Sequence, residues 1–383
     1  MPTVCHFGSF PTTAAYSRNT SVGRGLDDAG WRVIECRVAN RATGARTAAR
    51  RGTGLLRWIG FCVRSSCAWL GLLLRHRRVG DYDVLLVGYP SHIDMFVASL
   101  LARRRRRPLV MDAFIGLYDT VVRDRELLKP NRPPARLLRS WERFCLRRAD
   151  RVLVDTPEQA EALADDYGLD RKRIAAVPVG IDESLWLPTP LPVSDGSFRV
   201  AMWATFIPLH GMEVVARAAR QLEDAGAAVQ FDVIGDGQTA HRFAALLDEL
   251  KPASIRWQRG VYDIQSVVEM ATQAHCCLGV FGSSQKARRV VPYKVTQALC
   301  LGRPLITCDG PAVRRVVQHE TGGLLVPADS PDELARAITK LANNRDLCER
   351  LAAGARAAYE RHLGRALISR ALVEALEPLV EGE

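Results

Sequence analysis

The sequence predicts an α/β protein built from two doubly wound domains, and three observations support this class. Short apolar runs that suit buried strands alternate with amphipathic helical patterns, which is typical of parallel sheets with helices on both faces. The alternation stops once, in a proline-rich stretch at residues 177–197, and then resumes. The length of 383 residues suits two domains of ordinary size rather than one.

The first half of the chain carries six predicted strands with helical patterns between them. The strands are expected at residues 3–7, 33–38, 84–87, 109–111, 152–154 and 174–177. The helices are expected at residues 17–29, 93–105, 135–148 and 157–167. These elements predict a first doubly wound domain at residues 1–185.

The second half repeats the pattern after a hinge that is expected near residue 190. Its strands are predicted at residues 198–203, 231–234, 255–257, 276–280, 305–307 and 324–326, and its closing helices at residues 331–342 and 347–361. A second domain is therefore predicted at residues 186–364. The last helical pattern has no strand partner, so residues 365–383 are predicted to pack back on the first domain.

The position of a ligand follows from this architecture. In doubly wound sheets, ligands bind beyond the carboxyl ends of the strands. With two such domains facing each other, the site is expected in the cleft between them.

The composition is that of a globular protein, with 48% hydrophobic and 25% charged residues. The ten cysteines are scattered without a C-x-x-C pair, which favours reduced thiols of a cytoplasmic protein over a zinc site or disulfides. The first ten residues predict a strand rather than a signal peptide. No uncharged apolar stretch is long enough to predict a membrane span.

The net charge of +11 is partly explained by five consecutive arginines, Arg103–Arg107. They form either a solvated helix end or a surface attracted to anions. No basic motif interleaved with aromatic residues is present, so nucleic acid is not predicted as a partner.

Residues 55–74 predict an amphipathic helix with a wide apolar face and a narrow basic edge. At about 100° per residue, Arg57, Arg64 and Arg75 fall on one side of this helix. Two interpretations remain open at this stage. The helix is either buried against the sheet or lies at a membrane surface.

A phosphate-binding pattern occurs in residues 276–327. An apolar strand ends in Gly-Ser-Ser and is followed by a cluster of cations and a helix that begins near Pro292. The cations are Lys286, Arg288, Arg289 and Lys294. A strand that passes through a small-residue loop into a helix start can hold a diphosphate. The segment therefore indicates a nucleotide-diphosphate ligand, and a nucleotide sugar in particular.

Two weaker signals precede it, and their order carries a resemblance. "WATFIPLHG" begins at Trp203 and "FDVIGDGQ" at Phe231, followed by "GVFGSS", "PYKVTQALCLGRPLIT" and "TGGLLVP". This series resembles the family 4 (group 1) retaining glycosyltransferases of the GT-B fold. "FGSFP", "SRN", "PLVMDAFIGLYDTVVRDR" and "RADRVLVDTPEQAEAL" in the first half are similar to a bacterial branch of that family.

The resemblance implies two Rossmann-like domains facing a cleft, with the acceptor on the N-terminal side and the nucleotide sugar on the C-terminal side. It also brings out four departures from the family pattern. Thr205 and His210 stand where the family has an arginine and a lysine, and Arg289 and Gln297 stand where it has two glutamates. Either the protein has lost activity, or its diphosphate-binding charge has moved to the cation cluster. We favour the second interpretation.

The resemblance also implies the site residues. The catalytic assignments are His210, Lys294, Asp112 and Asp119, and the donor-binding assignments are Gly8, Thr205, Phe206, Gly235, Lys286, Arg289, Tyr293 and Gln297. Further acceptor-side candidates are His92, Asp94 and Tyr118. No metal and no cofactor beyond the nucleotide sugar are expected.

The resemblance thus predicts a metal-independent, retaining hexosyltransferase. It would move a sugar from a UDP or GDP donor to a hydroxyl, or another nucleophile, of a small-molecule or lipid-linked acceptor. An inactive nucleotide-sugar-binding protein and a sugar epimerase of the same fold are the alternatives. The protein is expected in the cytoplasm, and a peripheral position at an anionic inner membrane surface stays open.

Overall fold

A computed structural model describes residues 1–10, 12, 17–38, 55–193, 196–260 and 263–381, with the backbone alone for residues 55–59 and 61–62. The described chain divides into two compact units. One contains Met1–Gly180 and Arg365–Glu383, and the other contains Ile181–Gly364. The division falls five residues before the predicted domain boundary.

The first unit is built on one parallel sheet. Its strands are β1 (Thr3–Gly8), β2 (Arg32–Arg37), β3 (Val84–Val87), β4 (Leu109–Asp112), β5 (Arg151–Val154) and β6 (Ile174–Ala176), in the order β2-β1-β3-β4-β5-β6. Its helices are α1 (Arg18–Asp28), α2 (Leu55–His76), α3 (Met95–Arg105), α4 (Pro133–Arg148), α5 (Pro157–Tyr167) and α14 (Arg365–Glu381). Single helical turns lie at Ser91–Ile93, Asp119–Asp124 and Arg171–Arg173.

The second unit has a parallel sheet of the same size. Its strands are β7 (Phe198–Ala204), β8 (Val229–Gly235), β9 (Ile255–Arg259), β10 (Cys276–Leu278), β11 (Leu305–Cys308) and β12 (Leu324–Val326), in the order β12-β11-β10-β7-β8-β9. Its helices are α6 (Met212–Asp224), α7 (Ala240–Leu250), α8 (Ile264–Thr272), α9 (Gln285–Arg289), α10 (Tyr293–Leu301), α11 (Pro311–Arg314), α12 (Pro331–Ala342) and α13 (Arg345–His362), with a single turn at Pro208–His210.

The predicted fold class of two doubly wound α/β sheets is therefore confirmed. Hydrophobic side chains pack on both faces of each sheet, in four large clusters. Local signals fix several boundaries. Thr156 accepts a hydrogen bond from the backbone N–H of Gln159 (3.1 Å) at the start of α5, and Gly168 ends that helix in the left-handed conformation.

The last helix, α14, belongs to the first unit and packs on α1. Gly25 makes this contact close, because a Cβ atom there would lie 2.9 Å from a methyl group of Leu372. Ile368, Leu372 and Leu376 are buried in the same hydrophobic cluster as Leu26. An ion pair between Arg365 and Asp28 lies at the end of the interface.

The proline-rich stretch is part of the second unit. Arg303 is fully buried and donates to the carbonyl oxygens of Thr189 (2.7 Å), Pro190 (3.1 Å) and Thr272 (2.6 Å). Trp186 stacks on Trp203 with 5.7 Å between the ring centroids. These contacts anchor residues 186–190 to the sheet.

The predicted helix at residues 55–74 is present as α2, and it has two different sides. Ser65, Ala68, Leu72 and His76 are buried, whereas Leu70 on the other side is exposed. The Arg57 side chain lies outside the described residues. No described helix combines the length and the apolar character needed to cross a membrane.

Candidate active site

The strand order places the candidate site of the second unit at the carboxyl ends of β7 and β10. The chain runs from β7 outward to β8 and β9, and then returns to β10 on the other side of β7. Such a switch point leaves a crevice between the loops that follow the two central strands. Here those loops are residues 205–211 and 279–284.

The two loops touch through their backbones. Phe281 N–H donates to the carbonyl of His210 (3.2 Å), and Gly282 N–H donates to the carbonyl of Leu209 (3.1 Å). A Cβ atom on Gly282 would lie 2.5 Å from the Pro208 oxygen, and one on Gly211 would lie 2.7 Å from the Gly282 nitrogen. Glycine at 211 and 282 therefore allows both loops to meet at one edge of the sheet.

A third segment, after β8, closes on the same place. Gly235 has φ +140°, and a Cβ atom there would lie 1.9 Å from the carbonyl oxygen of Ala204. A Cβ atom on Gly237 would lie 2.0 Å from the carbonyl oxygen of Thr205. The sequence singled out Gly235 and Thr205 separately, and the structure brings them together.

Phe206 is a core residue rather than an open ligand contact. Its ring is fully buried, stacks on Trp257 (5.4 Å between centroids) and meets Phe243 edge-on. Its carbonyl accepts a hydrogen bond from Thr239 N–H at 2.8 Å. Any part that Phe206 takes in donor binding would therefore come from its main chain.

His210 is buried at the end of the first loop. Its Nδ1 accepts a hydrogen bond from the backbone N–H of Ile207 at 3.4 Å. In the neutral ring this arrangement places the proton on Nε2, so that Nε2 is the ring atom able to donate.

The predicted cation cluster lies on two helices. Lys286 and Arg289 are on α9, a five-residue helix that the sequence analysis did not predict, and the Ser284 hydroxyl oxygen caps it by accepting from Ala287 N–H (3.2 Å). Lys286 is buried and Arg289 is half-buried, whereas Arg288 is exposed. Arg288 is therefore the most solvated of these three cations.

Lys294 is the most unusual cation of the cluster. It lies in the first turn of α10 with 5% of its surface exposed, and its Nζ is 4.0 Å from the Met202 sulfur. Burial away from water lowers the pKa of Lys294 well below its ordinary value. A nearby phosphate would favour the charged form and raise that pKa again.

Gln297 lies one turn further along α10 and is held by Trp203. The indole Nε1–H donates to the amide Oε1 at 2.9 Å. This bond sets the orientation of the amide, so its Nε2 group is turned away from the indole as a donor. Tyr293, which begins α10, is half-buried.

In the first unit the switch point lies between β1 and β3. Gly8 ends β1 with φ +145°, and a Cβ atom there would lie 3.2 Å from Oδ2 of Asp94. That carboxylate accepts from the Ser9 N–H (2.6 Å) and the Ser9 hydroxyl (2.8 Å). Burial raises the pKa of Asp94 although both hydrogen bonds from Ser9 oppose the change.

Asp112 is at the predicted place, at the end of β4, but both of its carboxylate oxygens already accept hydrogen bonds. Arg18 donates to both of its carboxylate oxygens (2.9 and 3.1 Å), and the Phe114 N–H donates at 3.2 Å. Arg18 also donates to the carbonyl of Val177 at 2.8 Å. This pairing suits a carboxylate that positions β4 and the chain at residue 177 better than one that accepts a proton.

Two of the remaining first-unit candidates, His92 and Tyr118, contact a buried glutamate. Glu142 on α4 accepts from the N–H groups of Leu117 (2.6 Å) and Tyr118 (2.8 Å) and from the Tyr167 hydroxyl (2.5 Å), and it lies 3.2 Å from His92 Nε2. Asp119 follows Tyr118 in the chain and forms an ion pair with Arg123 at 3.7 Å.

Sequence reasoning missed Arg18 and Glu142. Arg18 lies inside the quoted "SRN" without having been given a role. Glu142 is the only acid in a helix with five arginines, and this composition was the available sequence signal; the structure shows that Glu142 is buried. The partners of both residues are distant in sequence, so their pairings were not visible.

Two acids near the start of β3 have the spacing of a possible metal-binding motif but are paired with an arginine. Asp81 and Asp83, an Asp-x-Asp triplet, both form ion pairs with Arg107 (2.9 and 3.7 Å). Within the described ranges, no three His, Cys, Asp or Glu side chains are grouped as metal ligands.

Comparisons with known proteins agree with this architecture. The family model "Glycosyl transferase 4-like domain" matches residues 13–180, and "Glycosyl transferases group 1" matches residues 198–344. Together they cover well over half of the chain, one in each unit.

Two curated proteins are similar to this chain at low sequence identity. A protein of Escherichia coli K12 named as a colanic acid biosynthesis glycosyltransferase, WcaL, is 22% identical over 327 residues, which is 81% of this chain and 78% of the relative. A D-inositol 3-phosphate glycosyltransferase of Nocardia farcinica is 26% identical over 283 residues. That match covers 71% of this chain and 61%, less than two thirds, of the relative.

The fold is also found among solved structures. Anabaena Alr3699/HepE, solved in complex with UDP-glucose, aligns over 98% of both chains with a TM-score of 0.68 and 15% sequence identity. At that identity the likeness concerns the fold alone. With both family models in register with both units, the chain belongs to the group 1 (family 4) glycosyltransferases of the GT-B fold and is a transferase that uses a nucleotide sugar.

Proposed function

We propose that the protein transfers a hexose, with retention of configuration, from a UDP- or GDP-sugar to a hydroxyl group of its acceptor. The observation that carries this proposal is the crevice at β7 and β10. Three loops meet there through glycines, beside His210 and the cations Lys286, Arg289 and Lys294. A diphosphate needs backbone groups that it can approach closely and positive charge beside them.

In this proposal the chemistry rests on charge stabilisation. The bond from the anomeric carbon to the diphosphate oxygen breaks, and a bond from that carbon to the acceptor oxygen forms on the same face. The acceptor proton passes to the departing phosphate oxygen, so no protein base is required. His210, Lys294 and Arg289 stabilise the charge that develops on the leaving group, and Gln297 binds the ribose through its amide N–H groups.

The departures from the family pattern support a shift of the diphosphate-binding charge to the cation cluster. Thr205 and His210 supply fewer cations than the family pattern, and Lys286 and Lys294 are buried close to the same edge of the sheet. Buried lysines are uncommon unless they are paired or functional. A diphosphate beside Lys294 would supply the negative charge that favours the protonated form of this buried amino group.

For the acceptor, we assign the loops at the carboxyl ends of β1 and β3. Asp94 and His92 are polar groups there: Asp94 accepts from the Ser9 N–H at 2.6 Å, and His92 Nε2 lies 3.2 Å from Glu142, which holds it in place. We propose that they orient the acceptor hydroxyl, with Asp112 as a positioning residue. The acceptor class is a small molecule or a lipid-linked molecule.

The test is a nucleotide-sugar panel. UDP-glucose comes first, because it is the ligand of HepE, followed by GDP- and dTDP-sugars. A donor at about 100 times its Kd stabilises the fold by about 2.7 kcal/mol, which a thermal shift detects. Slow donor hydrolysis, followed by NMR, should release the sugar with its anomeric configuration retained.

The alternatives have different outcomes. An inactive binding protein would show the thermal shift without hydrolysis or transfer. An epimerase would convert the donor sugar without releasing it. Stabilisation by none of the donors would contradict the proposed nucleotide-sugar site.

A further inference from the structure

The helix α2 is apolar on its exposed side as well as on its buried side. At about 100° per residue, Val63, Cys67, Leu70 and Leu74 fall within about 60° of one another, opposite the buried side. Leu70 is 60% exposed, Leu74 is 52% exposed and Val63 is 56% exposed. A water-facing helix surface normally carries polar residues at these positions, so this side of α2 is suited to a partner.

The neighbouring helix α3 extends the same surface. Phe96 and Leu100, one helical turn apart, are 43% and 55% exposed. The Phe96 ring lies 6.2 Å from the Trp69 ring of α2, which joins the two helices. We call this surface the apolar patch, and it consists of Val63, Cys67, Leu70, Leu73, Leu74, Phe96 and Leu100.

The residues around the apolar patch are strongly basic. The exposed charged side chains of α2, α3 and the turns that follow them are Arg64, Arg75, Arg77, Arg78, Arg103, Arg104, Arg105 and Arg106. Against them stands the exposed acid Asp81, which pairs with Arg107.

We propose that the apolar patch and its arginines dock on the surface of an anionic lipid bilayer. Large apolar side chains between cations match the boundary between acyl chains and anionic headgroups. A second copy of this chain fits less well, because a symmetric contact would bring both sets of arginines together. The excess of arginines around the apolar patch therefore favours a partner surface with net negative charge.

The patch lies on the unit that carries the proposed acceptor-side residues. If the proposed function holds, its acceptor is then an amphiphile that resides in the bilayer, because docking brings that unit to the membrane. The docking itself does not depend on the proposed chemistry, so the two are tested separately.

The experiment is co-sedimentation of the full chain with vesicles at low salt. Vesicles of phosphatidylcholine are compared with vesicles that also contain phosphatidylglycerol. Binding to the anionic vesicles and its loss at high salt are expected. Each arginine near an anionic surface contributes about a fivefold gain in partition, so Arg103→Gln with Arg104→Gln should weaken binding about 25-fold.

The apolar contribution is tested by Leu70→Ser combined with Leu74→Ser, which should weaken binding at least tenfold. Two matched controls lie on the other unit. Leu187→Ser replaces a leucine that is 62% exposed, and Arg217→Gln replaces an exposed arginine. Neither control should change vesicle binding.

Equal thermal unfolding of all variants without ligand shows that folding is intact, and it keeps this test separate from that of the proposed function. No vesicle binding at low salt would overturn the docking proposal, as would binding that is equal in the patch and control variants. Dimers that dissociate on Leu70→Ser with Leu74→Ser, without any vesicle binding, would assign the patch to a second copy instead.

Discussion

At the scale of single residues, Lys294 is the side chain in which stability and the proposed function conflict. Its amino group is buried and faces the Met202 sulfur, and the removal of water lowers its pKa well below the ordinary value. Keeping such a group costs stability unless an anion arrives. The loss of stability is explained if an anionic ligand binds beside Lys294 when the protein acts.

We therefore expect Lys294→Met to stabilise the ligand-free protein and to weaken donor binding. The stability gain should be about 1–3 kcal/mol, because an unpaired buried cation is replaced by an apolar chain of similar length. Donor affinity should fall about tenfold to a hundredfold, the effect of one lost charged hydrogen bond. Urea unfolding and titration with UDP-glucose measure the two effects.

The free energy of unfolding should depend on pH differently in wild type and in Lys294→Met. Because the folded pKa of Lys294 is lowered, the unfolded state binds more protons, and wild-type stability rises with pH until about pH 10.4 is reached. Lys294→Met should lose this part of the slope, and Lys129→Met, at an exposed position, should keep it. A destabilised Lys294→Met with unchanged donor affinity would contradict the assignment.

Glu142 is expected to hold the first-unit candidates in place. Burial alone would raise its pKa, but the hydrogen bonds from His92, Tyr167 and Tyr118 outweigh burial, so the pKa is lowered. Glu142→Gln should destabilise the fold by about 2–4 kcal/mol at pH 7, because an amide cannot accept all of these bonds.

The lowered pKa also sets the pH range of this effect. Wild-type stability from Glu142 is present above its unfolded pKa of about 4.3 and is lost as the pH falls through the folded pKa. The difference between wild type and Glu142→Gln should therefore shrink in acid, in urea unfolding at several pH values. Glu161→Gln, at an exposed position on α5, is the control and should change little at any pH.

Residue types were more predictable than residue partners. The sequence placed Asp112 at the end of a strand, where the structure has it, but Arg18 lies 94 positions away in the chain. Gln297 was assigned to binding the nucleotide sugar, and the indole of Trp203 already donates to its amide oxygen. These pairings depend on tertiary contacts that no local pattern encodes.

At the scale of elements, the close approach of two loops is the feature that the proposed site depends on. Gly282 has an ordinary backbone conformation, so glycine is required there only because a side chain would not fit between the two loops. In Gly282→Ala the new methyl group would lie 2.5 Å from the Pro208 oxygen, and the loops must separate. Donor affinity should fall at least tenfold, and stability should fall by about 1–3 kcal/mol, the usual cost of overpacking.

Gly80→Ala is the matched control, because nothing lies within 4 Å of its added methyl group. Thermal unfolding with and without UDP-glucose separates the two effects. If Gly282→Ala lost stability but kept the full shift with donor, the loop contact would be structural and the proposed site would lie elsewhere.

Helices with clear local signals were predicted with good boundaries, and short ones were not. The predicted helices at residues 157–167 and 331–342 agree with α5 and α12, both of which begin at a proline. The five residues of α9 give too little periodicity to indicate a helix. For α2, the sequence predicted a wide apolar face, but the pattern does not tell which part of that face packs against the sheet and which part is exposed.

At the scale of the whole molecule, strand order was beyond the reach of the sequence analysis. The alternation of elements predicts two parallel sheets but not which strands are central. The switch points at β7 and β10 and at β1 and β3 depend on long-range pairing, and they decide which loops lie together. The boundary after Gly180 likewise follows from long-range contacts, because Ile181 and Trp186 pack in a hydrophobic cluster of the second unit and Glu183 accepts a hydrogen bond from the Tyr359 hydroxyl at 2.7 Å.

The basic character of the chain leads to a last prediction, on metal dependence. If Lys286, Arg289 and Lys294 neutralise the diphosphate, a divalent cation is not needed to stabilise the leaving group. Turnover of UDP-glucose should then be unchanged by excess EDTA, while rising salt should weaken donor binding, because it screens these cations. Loss of activity in EDTA that Mg²⁺ restores would show instead that a metal carries the charge, and the three cations would then need another explanation.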